Sequence, residues 1–549
     1  MAVHGDWITP HVNGMPTLAV SPLLTWSAAA GFKLLGVSDW AARLVMALYA
    51  LALFIVVMAL GTRLFLTPTA GFYAALILLT SAGIFLFAHL LYPGILSTLW
   101  LALAMYFFWR SLRHEHASRG TAVGFAVACG LGVLSHGLAG VIVPLVIVLL
   151  FLVITRNLHH LLRWHPVIGV LGFLLVTVPW HVAVYRAMAV RLPATGCPGW
   201  PSLPLLLLEW AFLLLWIMPW CFFAVAALVR MPGRISPRIH VAEHDADCAR
   251  RDCVYQARLL LVLWLAVAAL AIVFPHLRMF SILPALPALA LLAAGWLTAD
   301  EAAPSRAGRI FAWVFFIAGI LMAVAAVIAA VRAPFPAPGV DIATLLHLHP
   351  GQYHAFFGHL ADLTSASMSV FRIPLSITAA ALPVGVTANL FFRLKNQPRM
   401  ANCFLGGMMV FLLIAAHIAL NTFSPVVSSA VLAEAIKPEM NSNDVVIVNG
   451  TYSDASAMGF YLEQPIHLLV HAPGTGMTPS SNANPSSTIA AGLSETPELL
   501  AEQWSGAGRV FLWTTPQSAP ALPTKVYQIA RDGGREILSN QPNSGGASF

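Results

Sequence analysis

The chain is short of charge. Only 9% of its 549 residues are Asp, Glu, Lys or Arg, while 59% are hydrophobic. A soluble domain carries about 25% charged residues, so this chain has too little charge to clothe a soluble particle of its size. The net charge of +7 gathers in no single basic patch, which argues against a nucleic-acid partner. Cysteine is scarce as well. Cys129, Cys221 and Cys403 fall in apolar runs, where cysteine acts as a small hydrophobe, and with Cys197, Cys248 and Cys253 they make six residues without a disulfide framework. The sequence lacks a P-loop, a dinucleotide fingerprint and a serine-nucleophile elbow. Met1–Pro22 is polar and bears Pro and Gly, the wrong composition for a secretory signal.

Long apolar runs stand where the charge is missing. Several stretches of 16 to 23 residues hold no charge at all, and a bilayer-spanning helix needs about 20. In hydrocarbon every backbone N–H and C=O must pair internally, so these runs are expected as helices. Twelve spans are read: Trp40–Leu60, Gly71–Leu91, Gly94–Trp109, Thr121–Ser135, Gly140–Ile154, Val167–Tyr185, Leu203–Val229, Leu259–Phe274, Met279–Leu297, Ile310–Val331, Ile373–Phe392 and Cys403–Leu420, the third to fifth being short.

Basic residues orient them, because cytoplasmic loops are enriched in Lys and Arg. With the first 39 residues outside, the inside loops hold Arg63, Arg110, Arg113, Arg119, Arg156, Arg163, Arg230, Arg234, Arg238, Arg250, Arg251, Arg258, Arg306, Arg309, Arg393, Lys395 and Arg399. The outside loops between spans hold only Arg186, Arg191, Arg278, Arg332 and Arg372. The opposite orientation inverts that bias. Cys197 is then the one cysteine in an oxidising compartment, without a partner.

The expected architecture is mainly α: a polytopic transmembrane helical bundle of about 12 spans with a small C-terminal α/β extracytoplasmic domain. Residues 1–39 form an extracytoplasmic juxtamembrane segment, 40–420 the membrane domain and 421–549 the outer domain. In the tail, Ser424–Lys437 reads as a helix with a Pro near its start, and Val445–Val448, Val510–Trp513 and Ile466–Val470 read as strands. The stretches around Pro473–Ser487 and Asn540–Phe549 are rich in Gly, Ser, Pro and Asn and read as flexible.

Chemistry is sought at the outer face, since ionisable groups near the membrane are costly and therefore candidates for function. Asp6, Asp39 and Glu209 offer carboxylates for general-base work, and Arg43, His136, His276 and Arg278 offer cations for a phosphate. Taken one by one, each also reads as an interfacial residue that snorkels or caps a helix. His347, His349, His354 and His359 on one loop, and His240, His244, Cys248 and Cys253 on another, are imidazole and thiol groups of the kind zinc takes. Neither spacing matches a standard motif, and no metal ligands are assigned.

One segment carries more than composition. Gly5-Asp6-Trp7-Ile8-Thr9-Pro10-His11-Val12-Asn13-Gly14 resembles the first outer loop of the aminoarabinose transferases and protein mannosyltransferases, which are GT-C membrane glycosyltransferases. The likeness continues through Pro22-Leu23-Leu24-Thr25-Trp26, Ala41-Ala42-Arg43-Leu44, Leu134-Ser135-His136-Gly137, Pro179-Trp180-His181 and Leu283-Pro284-Ala285-Leu286-Pro287. The start of the tail is similar to the aminoarabinose transferase's outer domain.

The resemblance implies transfer of a sugar from a polyprenyl-phosphate donor to a lipid (lipid A among them), glycan or protein hydroxyl at the outer face of the bacterial inner membrane. A carboxylate assists the acceptor, and cations, sometimes with a divalent metal, stabilise the leaving lipid phosphate; no other cofactor is implied. The family's Asp-Glu pair falls upstream of Met1, together with its first span, so a truncated start is expected. Its Glu-Lys falls on Ala19-Val20, its second-loop Asp near Gly94, and its loop Lys in the window of His276 and Arg278. The site is therefore expected to be divergent. The alternative is a catalytically degenerate polyprenyl-lipid-binding or assembly protein on the same fold. A transporter ranks last, because neither paired broken helices nor an internal repeat is read in the sequence.

Overall fold

The computed structural model describes residues 5–13, 15–16, 21–112, 118–187, 201–229, 246–274, 282–335, 341–346, 362–441, 443–469, 493–523 and 525–543. A short antiparallel pair, β1 (His11–Val12) with β2 (Met15–Pro16), precedes helix α1 (Pro22–Leu35). The bundle follows: α2 (Asp39–Phe65), α3 (Pro68–Leu79), α4 (Ala82–Ala88), α5 (Gly94–Leu112), α6 (Arg119–His136), α7 (Ala139–Ile154), the short α8 (His159–Arg163), α9 (Pro166–Ala187), α10 (Leu203–Trp216), α11 (Cys221–Val229), α12 (Ala246–Ala271), α13 (Leu286–Ala302), α14 (Arg306–Arg332), α15 (Arg372–Leu394) and α16 (Pro398–Val427).

Local chemistry sets these boundaries. The hydroxyls of Ser38, Thr67, Ser118 and Ser305 accept the N–H groups of Ala41, Ala70, Thr121 and Gly308 at the starts of α2, α3, α6 and α14. Pro22 and Pro68 stand in first turns, where no N–H is needed.

Among the described residues, eight helices are long and apolar enough to cross a membrane, and two bent pairs raise the number to ten. The remaining two expected spans correspond to α6 and to α7, an apolar helix of 16 residues. The chain is a multi-pass membrane protein. Its lipid-facing surfaces are apolar and exposed, as in Val170, Leu171 and Leu175 of α9 and Ile317, Leu321 and Met322 of α14.

Two expected spans are not single rods. Gly71–Leu91 bends by 57° between α3 and α4, and Leu203–Val229 by 108° between α10 and α11. The two breaks satisfy one another: the Thr80 hydroxyl donates to Leu76 O at 2.6 Å and accepts the Trp220 indole N–H at 2.9 Å. Irregular backbone at membrane depth survives where its polar groups are buried in protein. The first 39 residues also hold more order than the sequence reading assigns, since α1 lies within them. Leu34 and Leu35 at its end, Val37 after it and Trp40 at the start of α2 are exposed, an apolar patch of the kind that suits a membrane interface.

After α16 the chain builds a mixed sheet in the order β5-β4-β3-β6-β8-β7. Its strands are β3 (Val445–Val448), β4 (His467–Leu469), β5 (Ser494–Glu495), β6 (Val510–Thr514), β7 (Tyr527–Asp532) and β8 (Arg535–Ser539). The first four run parallel, and β8 and β7 close the sheet antiparallel. Side chains alternate between two buried faces. Val446, Val448, Phe511 and Trp513 pack with α17 (Ala430–Ile436) and α18 (Tyr452–Leu462); Ile447, Val510 and Leu512 pack with α19 (Pro497–Ser505) through Leu500 and Trp504. The β7–β8 turn is Gly533-Gly534 with φ of 62° and 75°, the two positive values a tight hairpin needs.

The helix expected over Ser424–Lys437 divides instead at Ser428–Ser429, with α16 running into it and α17 following. The strand expected to Val470 ends at Leu469, the last described residue there.

Candidate active site

The sheet domain packs on one face of the bundle, where Asn13 and Asp39 meet it. Asp6 sits in a turn whose Ile8 and Thr9 N–H groups donate to its Oδ1 at 2.9 and 3.1 Å; its Oδ2 lies 3.9 Å from His11 Nδ1. The Thr9 and Ile8 amides hold this carboxyl below its ordinary range. Asp6 is thus a well-hydrogen-bonded turn former and a weak base. Indole N–H groups seat the turn: Trp26 donates to Trp7 O at 2.7 Å and Trp180 to Ile8 O at 3.0 Å. The two indoles meet edge to face at 6.4 Å.

Below lies α1, tied to the bundle by the Ser21 hydroxyl, which donates to Leu134 O at 3.1 Å, and by a 2.6 Å hydrogen bond between Ser27 and Tyr49. Trp100 continues this polar line by donating to Ser135 at 3.1 Å. Beside Ser135, His136 ends α6 and is buried. It faces a cavity of about 40 Å³ that Ser97, Gly140, Ala268 and Pro284 also line, enough room for water. A larger groove of about 370 Å³ runs between α6, α7 and α9, lined by Val133, Leu138, Val141, Phe173, Thr177, Val178, His181, Val182 and Tyr185. His181 in its lining packs edge to face on Trp180 at 4.9 Å, the indole that donates to Ile8 O.

A third group forms where the sheet domain touches α2. The Arg43 Nη2 lies 3.5 Å from Asp39 Oδ2, and Tyr461 of α18 donates its hydroxyl to that same oxygen at 2.5 Å. Burial first, and then the carboxylate, push the Tyr461 hydroxyl well above its ordinary range. Close by, His89 and His417 bond through Nε2 and Nδ1 at 3.2 Å. Their protonation follows from their partners. Phe85 O can only accept, so His89 Nδ1 carries hydrogen and its Nε2 accepts from His417 Nδ1–H; His417 Nε2 then accepts from the Asn421 amide at 3.1 Å. Every ring nitrogen of the pair has a partner in this arrangement.

The candidate residues read from sequence therefore stand at separate stations: Asp6 in the N-terminal turn, Glu209 half-buried on α10, Arg43 on α2 and His136 on the cavity wall. His276, Arg278, His347, His349, His354, His359, His240 and His244 lie outside the described residues, as does the Cys248 side chain; Cys253 is buried and directed at Leu64 O. Among the described residues no three His, Cys, Asp or Glu side chains converge on a metal site. Sequence reasoning missed His89, His417, Asn421 and Tyr461. Two histidines inside apolar runs are a usable signal, but 328 residues separate them.

These features define a polytopic helical membrane protein with a mixed-sheet domain over one face. The sequence model of the dolichyl-phosphate-mannose-protein mannosyltransferases matches residues 19–182. The undecaprenyl phosphate-alpha-4-amino-4-deoxy-L-arabinose arabinosyl transferase of Edwardsiella ictaluri is 29% identical over 187 residues, 34% of each chain. That of Yersinia enterocolitica is 25% identical over 300 residues, 46% of this chain and 54% of the relative. The matches thus span between about a third and about half of these relatives' length. The crystal structure of ArnT from Cupriavidus metallidurans bound to undecaprenyl phosphate superposes with a TM-score of 0.73 at 18% identity, over 98% of this chain and 91% of that one. The chain therefore shares the fold of the ArnT structure and, over residues 19–182, the sequence pattern of the mannosyltransferase model.

Proposed function

We propose that the protein transfers a sugar from a polyprenyl-phosphate donor to a lipid, glycan or protein acceptor at the outer face of the inner membrane, with the sheet domain extracytoplasmic. The observation that carries the reading is the apolar groove between α6, α7 and α9, whose lining includes His181, packed on the Trp180 that holds the Asp6 turn. A substrate with a long apolar tail and a charged head needs such a groove beside a polar face. The orientation draws support from the helix ends. Asp39 and Tyr461 meet at the domain face, whereas Arg63 and Trp109 meet at the other end of α2 and α5.

In the transfer, the bond from the sugar's anomeric carbon to the phosphate oxygen breaks and a bond to the acceptor oxygen forms. The acceptor proton goes to a carboxylate and polyprenyl phosphate leaves. Asp6 and Glu209 are the proposed carboxylates, and the turn amides that hold Asp6 make it a weak base. Arg43 and His136, with His276 and Arg278, are the proposed cations for the phosphate.

The test is transfer of radiolabelled sugar from a polyprenyl-phosphate donor by the reconstituted full chain, with Mg²⁺, with Mn²⁺ and in EDTA. Arg43→Ala and Glu209→Gln are each expected to lower kcat by about a hundredfold or more. Full activity in both variants refutes their roles. The weak basicity of Asp6 gives the second reading, a lipid-binding protein without turnover, its footing; tight donor binding with zero transfer under all three ionic conditions decides for it.

A further inference from the structure

Among the described residues, hydrogen bonds join the sheet domain to the rest of the chain at three places. Asn13 exchanges two 2.8 Å hydrogen bonds with the backbone of Ile466. The Gly533-Gly534 turn donates two N–H groups to the Asp341 carboxylate at 3.1 and 3.0 Å. The third is the Tyr461 bond to Asp39, and it alone reaches a residue paired with a candidate substrate cation. Phe460, next in sequence, packs on Phe32 of α1 at 5.7 Å and fixes where α18 sits.

The geometry at Asp39 is a competition. Tyr461 and Arg43 approach one carboxylate oxygen, at 2.5 and 3.5 Å. The shorter, charge-assisted bond is the stronger. The Arg43–Asp39 pair is a one-turn pair with side chains 55% and 42% exposed, and such pairs are weak. While the tyrosine holds the carboxylate, the Arg43 donors stay available to an anion. Without the phenol oxygen, the carboxylate has Arg43 as its remaining partner in this contact, and it closes on the guanidinium in place of a phosphate.

Resting on the proposed function, we infer that Tyr461 is a positioning residue: through Asp39 the sheet domain keeps Arg43 open for the phosphate of a polyprenyl lipid. The domain is then part of the binding site rather than a cover over it.

The test is equilibrium binding of undecaprenyl phosphate to the full chain in nanodiscs, with inorganic phosphate and undecaprenol as companion probes. Arg43→Ala is expected to weaken undecaprenyl phosphate about tenfold or more, and Tyr461→Phe about threefold to tenfold. Asp39→Asn binds at least as well as the parent, and adding Tyr461→Phe to Asp39→Asn changes nothing further. The same ranking with inorganic phosphate, and indifference of undecaprenol to all four variants, support recognition of the anion.

Asp39→Asn approaches the contact from the bundle side, so it keeps the test open if Tyr461→Phe folds poorly. A Tyr461→Phe loss that persists undiminished in the Asp39→Asn background makes the tyrosine merely structural and overturns the inference. Parent-like binding by Tyr461→Phe alongside a clear Arg43→Ala loss also overturns it, while leaving the phosphate reading intact. Parent-like binding by Arg43→Ala removes the phosphate reading and the inference together.

Discussion

At the end of the bundle away from the sheet domain, Asp300 and Arg393 form an ion pair whose side chains are 1% and 4% exposed. The remaining polar atoms are supplied with partners. Asp300 Oδ1 accepts the Ser305 N–H at 2.9 Å, Arg393 Nη2 donates to Asn402 Oδ1 at 2.6 Å, and the guanidinium lies 5.8 Å from the Phe223 ring centre. Five helices, α11, α13, α14, α15 and α16, meet at or beside this pair. Gly308 makes room for it, since a Cβ there would come within 2.8 Å of Arg393 Nη1.

Replacing Asp300 by Ala leaves an uncompensated buried cation, a change that costs about 3–5 kcal/mol. That corresponds to a fall of roughly two to four powers of ten in the folding equilibrium constant. Replacing both partners, Asp300→Ala with Arg393→Met, removes the unpaired charge as well as the pair. The double variant is therefore expected to be more stable than Asp300→Ala alone. The assay is reversible unfolding of the full chain in mixed micelles, read by tryptophan fluorescence. An Asp300→Ala variant within 1 kcal/mol of the parent, or a double variant less stable than either single one, refutes the reasoning.

Asp532, beside the hairpin turn that docks on Asp341, has its carboxyl raised by burial first and by the Asp341 charge second. The raised folded-state value means that its proton favours the docked turn. This contribution is complete below the ordinary carboxylate range and is lost as pH rises through the raised value. Asp532→Asn is expected to slow amide exchange in β7–β8 by a few tenths of a kcal/mol at pH 7, given partial exposure, and to have no effect near pH 3; hydrogen exchange at both pH values reads it. The orientation is tested by single cysteines in a background with all six native cysteines replaced. A cysteine at Gln528, in the sheet domain, is expected to react with an impermeant maleimide in intact spheroplasts, and one at Arg306 only after lysis. The reverse pattern refutes the topology.

What the sequence conveyed follows from which forces are local. The apolar runs, the Ser and Thr caps and the β3 and β6 strands are written in contiguous residues, so composition and periodicity find them. The breaks within α3–α4 and α10–α11 went unread although Pro219 marks the second one locally, because the contact that joins them, Thr80 with Trp220, spans 140 residues. Helix α1 was missed for a related reason: it is too short for a span, and Leu34 and Leu35 read as ordinary surface residues until a membrane plane is considered. The candidate site was the least legible part. Asp6 and Arg43 announce themselves as charges beside apolar runs, but charge does not reveal its engagement. One acid proves to be held in a turn, and the other end of the Arg43 balance is a tyrosine 418 positions away. On the inference drawn above, recognition at this face depends on contacts between the sheet domain and the bundle. Substitutions in α18, far from any motif, are where a binding defect with an intact fold is expected to arise.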